Sequence, residues 1–367
     1  MTADGDRKTD EVAELGLLRD QIDAIDGDLL RLINERAKLA RRIGEIKQGN
    51  IYRPEREAQV LRRVAERNPG PLPAVAAQRI VREVMSACLA LEQPLNIAYL
   101  GPAGTYSESA ARKHFGAAPT LLACPGIDDV FRAVEAGNAD YGVVPIENST
   151  EGAIGRSLDL LLSSPLQICG EINLPIHHKL MGRGDGPAAV TRIYSHAQSL
   201  AQCHEWLNRN LPQAQRVPVA SNAEAARLAA AETGTAAIAG DAAAELYGLA
   251  ILADNIEDDP NNTTRFAVVA GHDAGPSGSD RTSLVCSAQN RPGGLYQLLA
   301  PFADNGVSMS RLESRPARGF GGSRWEYVFY IDIEGHRSEP AATRALDELR
   351  GRAGFVKILG SYPRAVY

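Results

Sequence analysis

The sequence predicts a multidomain chain: an all-α N-terminal module, an α/β central region and an α+β, ferredoxin-like C-terminal domain. Three observations carry that expectation. From about Leu15 to Glu92 the apolar residues recur at helical spacing. From Leu95 to Ala270, short runs rich in Val, Ile and Leu alternate with alanine-rich stretches. The residues from Arg281 to Tyr367 then read strand, helix, strand, strand, helix, strand. A chain of 367 residues accommodates two or three cores, and the expected boundaries are 12–93, 95–271 and 281–367.

In the first module only Gln48 to Pro54 and the turn Asn68 to Pro73 interrupt the periodicity, so one long and two shorter helices are expected. The stripe of the long helix runs Leu18, Ile22, Ile25, Leu29, Leu32, Arg36, Leu39, Ile43 and Ile46, which puts Arg36 at a core-facing position. Lys47 follows eleven residues later, about 20° from Arg36 around the axis and about 16 Å along it. Two long cationic side chains leaning toward each other can hold a small dianion. Arg19 points about 100° away from Arg36, so a site containing all three needs Arg19 from a second chain. Between Arg31 and Arg63 there are ten Lys/Arg against four Asp/Glu. That run also reads as a solvated basic face, although a buried arginine without a carboxylate on its own stripe argues against it. On the third helix Val81, Met85, Cys88 and Glu92 share one face. A carboxyl buried there becomes protonated and donates hydrogen bonds, whereas one frayed into solvent does not.

In the central region the runs NIAYLG, YGVVPIE, VTRIYSH, TAAIAG and FAVVA are the strands, and Ala223 to Glu232 is a helix. The alternation argues for α/β units around mostly parallel sheets. Four segments place small polar groups at strand ends or strand-to-helix turns: GPAGTYS from Gly101, PIENSTEG from Pro145, SHAQS from Ser195 and NNTTRF from Asn261. Each alone reads as an ordinary turn or N-cap. Together on one scaffold they read as an anion site. GPAGTYS is neither a dinucleotide fingerprint nor a Walker sequence, so no nucleotide cofactor is expected. The linker Gly271 to Ser279 leads into the last domain.

Composition narrows the function classes. With 44% hydrophobic and 23% charged residues the chain is neither disordered nor fibrous, and a net charge of −6 argues against whole-molecule binding to nucleic acid. No run approaches the ~20 apolar residues of a membrane span. The polar, acidic start lacks the layout of a secretory signal, so a cytoplasmic protein is expected. The five cysteines are dispersed and read as reduced, mostly buried thiols. The one adjacent histidine pair, His177 and His178, has no carboxylate cluster beside it, so no metal site is expected.

The stretches LRDQIDAIDGDLLRLINERAKLARRIGEIK, YRPEREAQVL and RIVREVMSACLALEQ resemble the all-helical class of chorismate mutase, fused as in the bifunctional chorismate mutase/prephenate dehydratase family, the P-proteins. The resemblance implies substrate binding by Arg19, Arg36, Arg56, Glu57 and Cys88, with Lys47 and Glu92 catalytic. Arg53 stands where many members carry Asp, and Glu92 where several carry Gln. The implied chemistry is a pericyclic rearrangement of a dicarboxylate. It needs the compact conformer held and charge on the breaking ether oxygen stabilised, by Lys47 and a protonated Glu92.

From Asn96 to about Ala270 the motifs GPAGTYS, VVPIENSTEG, SHAQSLAQC and NNTTRF resemble prephenate dehydratase. This implies a two-lobed, periplasmic-binding-protein-like fold with substrate in the cleft, Thr264 as the catalytic hydroxyl, and Glu147, Asn148, Ser195, Gln202, Arg265 and Phe266 as cleft residues. Thr264 would assist departure of hydroxide and Arg265 would offset carboxylate charge. Arg265 also reads as a surface cation at a strand end. The stretch RPGGLYQLLAPFADNGVSMSRLESRP resembles the ACT domain of phenylalanine-inhibited enzymes, which implies an effector site at Gly293, Gly294, Leu295, Glu313, Ser314, Arg315 and Pro316. The implied partners are chorismate and prephenate as substrates and phenylalanine as effector, with no cofactor, no nucleic acid and no membrane, in a homodimer or higher homo-oligomer. Two other classes, a non-catalytic ligand sensor and a nucleic-acid-binding helical module, fit less of the chain.

Overall fold

Periodicity and breakers divide the N-terminal module as expected, into α1 (Ala3–Ile46), α2 (Pro54–Arg67) and α3 (Ala74–Ala90). The computed structural model describes residues 3–46, 52–184, 186–288, 291–316 and 327–366, with the backbone alone for 3–10. Pro54 opens α2 with Glu55 and Glu57 in its first turn and Arg67 in its last, an order that suits the helix dipole. The stripe of α1 differs from expectation. Leu18, Ile22, Ile25, Leu29 and Leu32 are all exposed by about half, and Arg36 is exposed with them. Within one chain α1 meets α3 near its C-terminal end. There Gly44 lets Glu92 approach so closely that a Cβ on Gly44 would lie 3.0 Å from the Glu92 side chain. Glu92 itself follows α3 in a turn closed by its N–H to Leu89 O.

The central region folds as two lobes. The first contains β1 (Asn96–Leu100), α4 (Tyr106–Phe115), β2 (Thr120–Cys124), α5 (Ile127–Glu135), β3 (Tyr141–Asn148), β4 (Gly152–Ala153), α6 (Gly155–Ser163) and β5 (Gln167–Pro175). The second contains β6 (Lys179–Gly182), β7 (Arg192–His196), α7 (Ala197–Gln202), α8 (His204–Asn210), β8 (Gln215–Val219), α9 (Asn222–Ala231), β9 (Thr235–Ala239), α10 (Asp241–Tyr247) and β10 (Ala250–Ala253). The chain then returns to the first lobe as β11 (Thr263–Ala270), giving sheet orders β2-β1-β3-β11-β5 and β10-β6-β9-β7-β8.

These sheets are mixed rather than mostly parallel. β11 enters antiparallel to both neighbours, β3 and β5, and β6 runs antiparallel to β9 and β10. The reason is the double crossing between lobes: a strand that returns from the far lobe runs opposite to those whose helices lie over the near one. The run FAVVA within β11 is buried on both faces, as a central strand requires.

The last domain is β12 (Asp280–Ser287), α11 (Gly294–Asp304), β13 (Met309–Pro316), β14 (Tyr327–Glu334), α12 (Pro340–Arg352) and β15 (Phe355–Pro363), in antiparallel order β13-β14-β12-β15. Helices cover one face around Leu284, Leu298, Phe302 and Leu349. The other face joins the core of the first lobe through Val285, Tyr330, Leu359 and Tyr362. Two contacts clamp β15 there. Gly360, at φ +154°, lies so near β5 that a Cβ would sit 2.0 Å from Ile168 O. The Lys357 ammonium donates to the carbonyls of Leu161, Leu162 and Ser164 at the C-terminal end of α6. The segment between β11 and β12 is tied down as well, because Arg62 of α2 donates to Ser277 and Ser279.

Candidate functional site

Two pockets hold many of the catalytic and substrate-binding residues expected from sequence. The first, of about 270 Å³, lies between α1, α2 and α3 and is lined by Arg36, Arg53, Arg56, Glu57, Cys88 and Glu92 among others. Helical spacing explains the convergence, since Arg53, Arg56 and Glu57 form the first turn and N-cap of α2 while Cys88 lies in the last turn of α3 and Glu92 in the turn that follows it. Lys47 lies outside the described residues. Arg19 does not line this pocket: seventeen residues of helix put it about 25 Å along the axis from Arg36.

Glu57 belongs to the pocket wall but its carboxyl turns toward the central region, accepting from Arg82 Nε at 3.1 Å. Burial raises its pKa, and Arg82 opposes that rise. Arg82 also donates to Lys113 O, and Ser86 to Phe115 O, so a polar face of α3 is buried against the first lobe. Sequence reading missed that face because its residues look like solvent-exposed helix positions. Beside it the Tyr52 hydroxyl meets His114 Nε2 at 3.0 Å. Burial, then the charge of Arg82, lowers the pKa of His114 to about 3.

The second pocket is a cleft of about 430 Å³ between the two lobes, lined by Thr105, Tyr106, Ser107, Asn148, Ile176, His178, His196, Gln198, Ser199, Gln202, Ser221, Asn222 and Thr264 among others. β11 and β3 pair Thr264 with Asn148, and Asn148 Nδ2 donates to Thr264 Oγ1 at 2.9 Å. A ring of amides fixes Asn148. It donates to Asn262 Oδ1 and accepts from Thr150, and Gln202 closes the ring by donating to Thr150 and accepting from Asn262. With its oxygen accepting from Asn148, Thr264 has its own proton left for the cleft. Gln202 Oε1 also contacts His178 Nε2 at 2.9 Å, and His178 Nδ1 contacts the Tyr106 hydroxyl at 2.9 Å. Burial lowers the His178 pKa against the opposing effects of Gln202 and Glu257, which favours the neutral ring, and the Tyr106 hydroxyl also donates to His177 O at 2.9 Å.

Four expectations for this cleft are corrected. Arg265, Glu147 and Phe266 do not line it. Successive residues of a strand point to opposite faces, so Arg265 and Glu147, the registered pair next to Thr264 and Asn148, face the C-terminal domain. Phe266 lies beyond a register shift and is buried in the core. Ser195 is also fully buried. It contacts Asn222 Oδ1 and Ile238 O at 2.9 Å and thereby supports Asn222, which does line the cleft.

No Lys, Arg, Asp or Glu lines this cleft among the described residues. The first turns of α4 and α9 open onto it from opposite lobes, and helix N-termini present N–H groups suited to anions. Each starts with a hydroxyl N-cap three residues before a glutamate, Thr105 with Glu108 and Ser221 with Glu224, and each cap accepts the glutamate's N–H. That capping pattern is a sequence signal for these positions.

In the C-terminal domain Gly293, at φ +77°, caps α11, which Gly294 and Leu295 begin. Glu313, Ser314, Arg315 and Pro316 lie on the edge strand β13. Two strand spacings, about 10 Å, separate β13 from the strand that leads into α11.

Residues 18–93 match the family model for chorismate mutase type II, 97–274 that for prephenate dehydratase and 282–351 that for the ACT domain. A bifunctional chorismate mutase/prephenate dehydratase of Neisseria gonorrhoeae (strain ATCC 700825 / FA 1090) is 56% identical over 352 residues, spanning 95% of this chain and 96% of that protein. One from Stutzerimonas stutzeri is 48% identical over 365 residues, spanning 97% and 99%. A solved prephenate dehydratase from Arthrobacter aurescens, in complex with L-Phe, is 35% identical with a TM-score of 0.68, covering 74% of this chain and 90% of that one.

The contact of Tyr52 with His114 makes a pH prediction. An unfolded histidine takes up a proton below about pH 6.5, and His114 in the fold does so only near 3, so its contribution to stability is lost as pH falls below 6.5. Urea denaturation of wild type and His114→Gln at pH 7 and pH 5 should show the wild type losing about 2 kcal/mol more than the variant over that interval. An equal loss in both would mean that His114 is not held neutral.

Proposed function

The chain belongs to the bifunctional chorismate mutase/prephenate dehydratase family, and from that premise we propose a division of labour among units 12–93, 95–271 and 281–367. The first rearranges chorismate to prephenate. The second converts prephenate to phenylpyruvate with loss of carbon dioxide and water. The third carries feedback inhibition by phenylalanine. No helix among the described residues is long and apolar enough to cross a membrane, and we assign the work to the cytoplasm.

One observation carries the dehydratase reading: the Thr264 hydroxyl stands on the cleft wall with Asn148 donating into it at 2.9 Å. As the ring carboxylate of prephenate leaves as carbon dioxide, its bonding electrons pass through the ring and expel the hydroxyl opposite. Thr264 donates its hydrogen bond to that hydroxyl as negative charge develops there. Aromatisation drives the step. The two substrate carboxylates find N–H groups and hydroxyls at the first turns of α4 and α9, one from each lobe. A cation beside the ring carboxylate would favour keeping that charge in place, so backbone dipoles suit a carboxylate that must depart.

The mutase pocket is built the other way. Arg36, Arg53 and Arg56 line it, and a rearrangement that keeps both carboxylates gains from cations that clamp them. Lys47 and Glu92 remain the proposed donors to the ether oxygen. Arg19 must arrive from a second copy, since about 25 Å of helix separates it from Arg36. The exposed stripe of α1 supports such a homodimer. A 44-residue helix with Leu18, Ile22, Ile25, Leu29 and Leu32 about half exposed has an apolar face that only another chain can cover. For the effector, two copies of the C-terminal domain bringing the Gly293 turn of one against the β13 edge of the other would combine both motifs in one site.

Thr264→Val removes the hydroxyl and keeps the shape. It should lower prephenate dehydratase turnover at least ~100-fold and leave chorismate mutase activity within about twofold. Equal loss of both activities would contradict separate sites. Arg19→Ala and Arg36→Ala, each without mutase activity, should regain about a quarter of the wild-type rate when mixed and allowed to exchange subunits, because half the dimers are then mixed and each holds one complete site. No recovery on verified exchange would place Arg19 in its own chain's site.

A further inference from the structure

Glu147 and Arg265 belong to two of the dehydratase motifs, yet both point away from the cleft. On the far face Arg265 Nη1 meets Asp332 at 2.6 Å, its Nε meets Glu171 at 2.9 Å and its Nη2 donates to the Tyr362 hydroxyl at 2.9 Å. Burial opposes its charge, but Tyr362, Asp332 and Glu171 hold its pKa above the ordinary value. Glu147 forms an ion pair with Arg311 Nε at 3.2 Å and lies 3.7 Å from Arg265. Arg311 is on β13, the strand that carries the effector motif, and on the same strand Arg315 reaches Asp159 of α6 at 3.2 Å.

The two sides of this interface are built differently. On the β15 side, Gly360 is pressed against Ile168 O, Lys357 donates to three carbonyls, and all three guanidinium nitrogens of Arg265 have partners. On the β13 side the first lobe is held by the side chains of Arg311 and Arg315 through Glu147 and Asp159. Buried atoms without a hydrogen-bond partner occur on both sides among the described residues, Arg311 Nη2 and Arg315 Nε on β13 and Gln167 Oε1, Asp273 Oδ2 and Arg281 Nε near β15. What distinguishes β13 is that two side-chain ion pairs hold it, without the close backbone packing that holds β15, so it has less to lose by changing partners.

We propose that Glu147 and Arg265 are positioning residues rather than substrate ligands, and that the Arg311–Glu147 pair carries the position of the effector strand to Thr264. The route is short. Arg311 holds Glu147, whose chain neighbour Asn148 donates to Thr264 Oγ1. A shift of β13 when the effector binds pulls Glu147 and turns Asn148, and Thr264 then loses the acceptor role that aims its proton at the cleft. Arg265 anchors the next residue of β11 to the stationary part of the regulatory sheet, so the movement is felt at Asn148 rather than shared by the strand. The coupling is a difference in effector affinity between the two arrangements. This inference rests on the dehydratase and effector assignments above and adds the link between them.

The test uses the full chain. Phenylalanine affinity is measured by calorimetry with and without a non-reactive dicarboxylate analogue of prephenate, alongside dehydratase kinetics, for wild type, Arg311→Met, Arg311→Lys, Glu147→Gln and the Met/Gln double variant. Wild type should show a coupling between ~5-fold and ~150-fold. Arg311→Met should keep dehydratase kcat within about twofold and phenylalanine affinity within about threefold, while its coupling falls below about twofold. Arg311→Lys should restore part of the coupling, Glu147→Gln should lower kcat more than it raises KM, and the double variant should be no less coupled than Arg311→Met. Undiminished coupling in Arg311→Met would overturn the proposal. So would a Glu147→Gln variant with raised KM and unchanged kcat, the signature of a substrate ligand. Loss of phenylalanine binding and dehydratase activity together in Arg311→Met, with mutase activity intact as the folding control, would make the pair merely structural and also sink it. Failure of the underlying assignments looks different, because wild type itself would then neither convert prephenate nor respond to phenylalanine.

Discussion

Arg265 is buried between two sheets, and a buried guanidinium is tolerable only with acceptors around it. Glu171 from β5, Asp332 from β14 and Tyr362 from β15 supply them. Burial alone would raise the Asp332 carboxyl, but Arg265 and the Ser283 hydroxyl hold it below the usual range, so the pair stays ionised. That cluster fixes β11 against the regulatory sheet. Because side chains alternate along a strand, fixing Arg265 on one face fixes Thr264 on the other. The central strand of the first lobe thus has a side that faces the cleft and a side that faces the C-terminal domain one residue apart, and its registered partner β3 repeats the division with Asn148 and Glu147.

The two proposed reaction sites would bind a dianion by opposite means. The helical pocket is lined by Arg36, Arg53 and Arg56, and the interlobe cleft by amides, hydroxyls, two histidines and helix ends. The difference follows from what each substrate does with its charge. In the rearrangement both carboxylates persist and the developing charge is on an ether oxygen. In the dehydration one carboxylate disappears, and charge moves across the ring to the leaving hydroxyl. His178 belongs to this economy of charge: burial lowers its pKa and favours a neutral ring, which bridges Tyr106 and Gln202.

Much of this was legible in the sequence, and the exceptions have physical causes. Apolar periodicity located α1, α2 and α3, and short Val/Ile-rich runs located β1, β3, β7, β9 and β11, because local spacing and β-branching carry those signals. The stripe of α1 was correct as a stripe but reads as core only if its partner belongs to the same chain. The antiparallel entry of β11 was hidden because strand direction depends on where the chain has been. Arg265 was misassigned because motif adjacency was read as spatial adjacency, against the period-two geometry of a strand. The polar contacts of Arg82 and Ser86 left no pattern, since such residues on a helix usually face water. The N-caps Thr105 and Ser221 did leave one, as hydroxyl residues three positions before a glutamate.

The central claim is that β11 separates chemistry from control, with Thr264 on the substrate and Arg265 on the regulatory sheet. A crystal structure of the full chain with a dicarboxylate analogue of prephenate in the interlobe cleft tests it most directly. The account requires the analogue's leaving-group oxygen within hydrogen-bond distance of Thr264 Oγ1, its carboxylates on the first turns of α4 and α9, and Arg265 still on Asp332 and Glu171. An analogue carboxylate paired with Arg265, drawn through to the cleft away from Asp332, would contradict it.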